Sequence, residues 1–156
     1  MLGGVVTEDI NLCRHDLFKT FRKSIYKYQI EYIQHPIQYT NLSVKTLIDD
    51  ALKIEGANMR TREQYAKYIL KVHKLIPLMI YATQDFVLFP TTSKSHFDYM
   101  LINAKQIQHI EPLSYHTEIK FKNNNTINID QDYHLISKKF GESLRLIHYQ
   151  KYHLRI

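Results

Sequence analysis

Tryptophan is absent from this chain, cysteine occurs once, and glycine and proline occur four times each. Each shortage removes a class of answers. A lone Cys13 excludes an internal disulfide and a cysteine-built zinc site. So little glycine leaves no phosphate-cradling loop of the G-x-x-x-x-G-K-[ST] kind. The longest nearly uncharged apolar run, LIPLMIYATQDFVLF, is interrupted by Gln84 and Asp85 and is too short to span a bilayer. The N-terminal MLGGVVTEDINLCRHD lacks the basic start and long apolar stretch of a signal peptide, so a cytoplasmic protein with no membrane partner is expected. Catalytic signatures are missing too. Ser93, Ser95 and His96 lie close together without a G-x-S-x-G turn, and none of the nine histidines lies four residues from another. Neither an enzyme nor a metal or other cofactor is expected.

What is present is more informative. The 156 residues, of which 44% are hydrophobic, suffice for one domain spanning 1–156 with its own core. Lysine and arginine number 21 against 15 acidic residues, a net charge of +6 that suits a polyanionic partner. Arg60, Arg62, Lys67, Lys71, His73 and Lys74 crowd into residues 60–74. On one face they would neutralise several phosphates, and guanidinium forks suit phosphates and narrow minor grooves. A helix also needs a solvated face, and lysine fills that role equally well. The turn FPTTSKS at 89–95 adds the hydroxyls of Thr91 and Ser93 and the cation of Lys94, which are backbone-contact groups rather than base readers.

The hydrophobic period changes along the chain. Leu17, Phe21, Ile25, Tyr28 and Tyr32 form a helical stripe that His35-Pro36 should end. SVKTLIDDALKIE reads as a second helix, with Ser43 as N-cap and Gly56 as stop. TREQYAKYILKV reads as a third, with Thr61 and Gln64 in a capping box and a strand over Lys67 to His73 as the rival. Six short segments follow: KLIPLMIY, DFVLF, DYMLIN, KQIQHI, TEIKFK and TINI. They are rich in strand formers. TEIKFKNNNTINI is the clearest, a β-hairpin turning on Asn123 to Asn125. The helical period returns in DYHLISKKFGESLRLIHYQ, aligning Ile136, Phe140, Leu144 and Ile147, with Gly141 hinting at close packing or a break. The fold class expected is α+β: N-terminal helices, an antiparallel β-meander of about five or six short strands, and a closing C-terminal helix.

Taken in order, VHKLIPLMI, FVLFPTTSKS, MLINAKQIQHIEP, TEIKFKNNNTINI and the closing helix resemble the ComK-type competence transcription factors. The Leu-Phe-Pro-Thr run followed by serines is the most specific element, and SVKTLIDDALKIEGANMRTREQYAKYIL is similar to the helical region that precedes it in the family. The resemblance covers residues 35–149 and leaves 1–34 as a divergent N-terminal segment. It implies a DNA-binding activator that works as a homo-oligomer on paired AT-rich boxes of double-stranded DNA, largely through the minor groove. A full-length relative or a protease adaptor would be a further partner. Arg62, His73, Lys74, Thr91, Ser93 and Lys94 fall on matched motif positions, and with Arg60 and Lys71 they form the candidate DNA-binding set.

Four departures accompany the match. The family's glycines and second basic position around residues 56–62 are only partly kept, with Gly56, Arg60 and Arg62 present. His96, Phe97, Asp98 and Tyr99 stand where the family usually has a cysteine and a tryptophan. The N-terminus reads as helical where the family forms strands, and the chain ends at Ile156 where members tend to have a longer tail. They keep an alternative open: an interaction module that does not bind DNA and instead modulates a full-length relative.

Overall fold

A computed structural model describes residues 20–24, 27–31, 38–96 and 98–153, the strands within 20–31 by their backbone alone. Nine strands and three α-helices lie among the described residues. They follow the order β1 (Thr20–Ser24), β2 (Lys27–Glu31), β3 (Gln38–Thr40), α1 (Val44–Leu52), α2 (Met59–Leu70), β4 (Leu78–Tyr81), β5 (Phe86–Pro90), β6 (Met100–Asn103), β7 (Ile107–Pro112), β8 (Thr117–Phe121), β9 (Thr126–Ile129) and α3 (Tyr133–His153). One six-stranded sheet has the order β3-β2-β1-β6-β5-β4, and a three-stranded sheet the order β7-β8-β9. Each pairing is antiparallel. The fold is α+β.

The helix expected from Leu17 to Tyr32 is not formed where the chain is described. Thr20–Ser24 and Lys27–Glu31 pair as antiparallel strands, and Phe21 stands opposite both Ile30 and Leu101. The physical reason is arithmetic. A spacing of four residues is one helical turn and also two strand repeats, so Phe21 with Ile25 and Tyr28 with Tyr32 satisfy both periods. Lys27, Gln29 and Glu31 alternate with Tyr28 and Ile30, which the strand period explains better. The supposed departure from a strand-forming N-terminal region therefore disappears.

All six of the later segments are strands, but they do not make one meander. β4 to β6 join the N-terminal strands, while β7 to β9 form their own sheet. β4 and β5 are buried on both faces, which is why their sequences are apolar without alternation. One face, with Leu78, Ile80, Leu88 and Leu101, packs under α1. Met79 and Val87 point the other way, into Ala66 and Leu70 of α2 and Leu146 of α3. Phe89 and Ile102 meet Ile119, Phe121 and Ile129 of the small sheet across Ile136 of α3. The asparagine hairpin forms as expected: Asn124 takes a left-handed φ of 68°, and Phe121 N–H donates to the Asn125 carbonyl at 2.8 Å.

The helix ends follow local chemistry. Ser43 Oγ accepts from Thr46 N–H at 3.1 Å, and Gly56 stops the 3-10 turn Lys53–Glu55 with φ 66°. Asn58, rather than Thr61, caps α2: its Oδ1 accepts from Thr61 N–H at 2.9 Å while Thr61 Oγ1 accepts from Asn58 N–H at 3.1 Å. Asp49 ties the two helices together, accepting from Met59 N–H at 2.8 Å and from Lys45 Nζ at 2.6 Å. Burial pushes the Asp49 carboxyl up, but the Lys45 ammonium and the Met59 amide outweigh it and hold the group below its ordinary 3.8. A depressed acid stabilises the fold fully above that ordinary value, and the contribution is lost as pH falls through the folded value. Asp49→Asn is thus expected to lower stability at neutral pH and to flatten the acid limb. Urea unfolding across a pH series measures both.

Helix α3 runs unbroken through Gly141, and a Cβ placed there meets nothing within 4 Å. The glycine marks neither a break nor close packing. Gly141→Ala should therefore stabilise the protein by about 0.5–1 kcal/mol, raising Tm by roughly 1–4 °C in a melting experiment.

Candidate nucleic-acid interface

The capped, Asp49-anchored start of α2 fixes the direction of its first turns. Arg60, Glu63 and Lys67 recur at helical spacing and run toward the turn after β5. That turn is pinned by its own backbone: Thr91 N–H donates to the Met100 carbonyl at 3.2 Å, and His96 N–H to the Ser93 carbonyl at 3.1 Å. Lys94 reaches across to an ion pair with the Glu63 carboxylate. Two features that are 31 residues apart in the chain are therefore one surface.

The surface is concave. A groove of about 190 Å³ is lined by Glu63, Lys67, His73, Ser93 and Lys94, among others. A neighbouring hollow of about 300 Å³ shares Glu63 and Lys94 and adds Ser43, Lys45 and Arg60. Arg60 and Lys67 make no ion pair among the described residues, whereas Lys45 is paired with Asp49 and Lys94 with Glu63. Glu63 is the acid in the middle of this cationic patch. Replacing it should remove the carboxylate that competes with DNA for Lys94: Glu63→Gln is expected to tighten binding to any duplex several-fold at low salt. Titrations at several salt concentrations read this directly.

The candidate residues divide by position. Arg60, His73, Ser93 and Lys94 come together at the two hollows. Arg62 lies roughly 200° further round α2 than Arg60. It pairs with Glu55, its side chain is 16% exposed, and its Nε is buried without a hydrogen-bond partner. Close by, Tyr65 O–H donates to Gln150 Oε1 of α3. Burial and Tyr149 raise the Tyr65 phenol above its ordinary value, and Arg62 opposes them. Arg62 thus helps join α2 to its surroundings. Thr91 is 1% exposed beneath the turn. Lys71 closes α2 with a left-handed φ of 57° and holds its ammonium 4.6 Å from the centre of the exposed Tyr68 ring. The Lys74 side chain is exposed, while its carbonyl accepts from Lys139 Nζ at 2.8 Å.

Three participants had no distinguishing signal in the sequence. Lys45 and Glu63 look like ordinary residues on solvated helix faces, and Lys139 like one more surface lysine in KKF. A separate groove of about 450 Å³ runs between α2 and α3, past Ile69, Leu144, Arg145, His148 and Tyr152, and takes none of the candidate residues.

No group of three or more histidine, cysteine, aspartate or glutamate side chains among the described residues could hold a metal. No helix there is long and apolar enough to cross a membrane. The two adjoining hollows beside α2 carry more cationic than acidic side chains. A family model described as "ComK protein" matches residues 19–152, so the chain belongs to the ComK family, whose members are competence transcription factors and not enzymes. The match begins inside the N-terminal segment that had read as divergent. No curated protein and no solved structure matches the chain.

Proposed function

We propose that this chain regulates competence genes by binding AT-rich double-stranded DNA as a homo-oligomer in the cytoplasm. The observation that carries the reading is the meeting of the 91–96 turn with the first half of α2. Lys45, Arg60, Lys67, His73 and Lys94 line two adjoining hollows there. A surface ringed by cationic side chains suits a phosphate backbone. In this reading Arg60 and Lys94 make the main phosphate contacts, and Lys67, Lys71, His73 and Lys74 flank them. The Ser93 hydroxyl donates to a phosphate oxygen. Arg62 and Thr91 hold the frame from inside it. Preference for A/T tracts would come from groove width and deformability, since few groups here read base edges.

The groove between α2 and α3, with Leu144 and Tyr152 exposed at its edge, favours a second reading in which the chain pairs with a full-length relative or a protease adaptor. Titration of a duplex with phased A/T tracts and of a G/C-rich control, over a salt series, tests the first. Tract-preferring binding that weakens with salt supports it. Absence of binding at low salt, together with a mixed species in a sizing experiment with such a partner, would favour the second.

A further inference from the structure

Helix α3 carries two charged side chains where a buried helix face ordinarily carries apolar ones. Lys139 and Glu142 are each 5% exposed, and Lys139 Nζ donates to Glu142 Oε2 at 2.8 Å. Removing two ions from water offsets most of what they gain from one another, and apolar side chains of similar volume often serve a core as well or better. Stability alone is a poor reason for this pair.

Its second bond supplies another. The same Nζ donates to the Lys74 carbonyl oxygen at 2.8 Å, across 65 positions of sequence. Lys74 lies in the connection between α2 and β4, where Lys71 and Leu75 have φ of 57° and 50°. Leucine is rarely found at such an angle and stays there only when its surroundings impose it. The carbonyl held by Lys139 belongs to the peptide that leads directly into Leu75. The exposed His73 and Lys74 side chains stand just before it, and His73 lines the groove with Ser93 and Lys94. A lysine suits the task, with a long apolar stem to cross the core and three donors for two acceptors.

We infer that Lys139 is a positioning residue. Its buried ammonium, oriented by Glu142, clasps the Lys74 carbonyl and holds the strained 71–77 connection in the shape that presents His73 and Lys74 to DNA. The clasp rests on the DNA-binding reading for its use, but not for its existence.

The test replaces the pair by apolar residues, Lys139→Met with Glu142→Leu, in the full chain. The amide coupling and backbone carbon shifts of Leu75, which report its left-handed φ, read the clasp without DNA. Duplex titration over a salt series reads its use. Leu75 should leave the left-handed region, low-salt affinity should fall about tenfold, and the salt slope should shrink by about one. Lys74→Ala should cost nothing further in the swapped background, because Lys74 would already be displaced. Unchanged Leu75 signals overturn the clasp. Changed signals with unchanged affinity and slope overturn its role in binding. If the unaltered chain binds no duplex, the DNA reading falls, and the Leu75 signals alone judge the clasp: departure from the left-handed region upholds it and no change overturns it. Should the swap not fold, Lys139→Met with Glu142→Gln removes both charges while keeping a polar side chain at 142, and the same outcomes apply.

Discussion

Lys139→Ala is expected to cost about 3–5 kcal/mol of folding stability, the loss typical of removing one partner from a buried ion pair. The variant leaves Glu142 buried and charged with its Lys139 partner gone, and it strips the Lys74 carbonyl of its donor. It also opens space where α3 packs against the rest of the core. For a protein of ordinary stability this is a large share of the total. Urea unfolding at neutral pH measures it. The apolar double replacement Lys139→Met with Glu142→Leu should fall much nearer to the unaltered protein, because no charge is then stranded. A loss under about 1 kcal/mol for Lys139→Ala would mean that water reaches Glu142 and that the pair is not a buried one.

The second large effect concerns binding. Arg60→Ala combined with Lys94→Ala should weaken duplex binding on the order of 100-fold at low salt, with the salt slope smaller by about two. The loss should be nearly the same for A/T-tract and G/C-rich duplexes, since phosphate contacts carry no sequence information. Arg62→Ala is the contrast: it should reduce stability by releasing Glu55 while leaving the salt slope unchanged. If the Arg62 and the Arg60–Lys94 variants behave alike, the cationic surface described here is not where DNA binds. Fluorescence titration and urea unfolding of the same three proteins separate the outcomes.

The basic cluster at 60–74 was visible in the sequence as a density of charge, but not as a surface. Arg60 and Arg62 are indistinguishable in one dimension. Their separation round α2 sends one to the open hollow and the other to Glu55. The 91–96 turn was recognisable as polar and basic from its composition, whereas its partner across the groove was not, because the Lys94–Glu63 pair spans 31 residues. Helix α3 shows the same limit. Ile136, Phe140, Leu144 and Ile147 look like its buried stripe. Ile136 is buried and Phe140 and Ile147 pack half-buried on the core, but Leu144 is exposed, and Lys139, Glu142, Ser143, Leu146 and Gln150 are turned inward as well. A helix wedged against two sheets is oriented by the gaps it fills, and a buried lysine is permitted there only because a carboxylate and a carbonyl await it.

By itself the sequence determined the α+β class, α1 with its Ser43 cap and Gly56 stop, α2 though not its Asn58 cap, the closing helix, the six later strands and the asparagine hairpin. These depend on neighbours within a turn or two of chain: capping side chains, left-handed asparagine, alternation and helical period. Tertiary structure alone decided the rest. It made strands of 20–24 and 27–31, where β1 pairs with β6 and β2 with β1. It also split the later strands into two sheets, brought the 91–96 turn onto α2, and clasped Lys74 to α3. Those outcomes depend on contacts between distant residues, and the stability of such contacts exists only once the chain has closed around them.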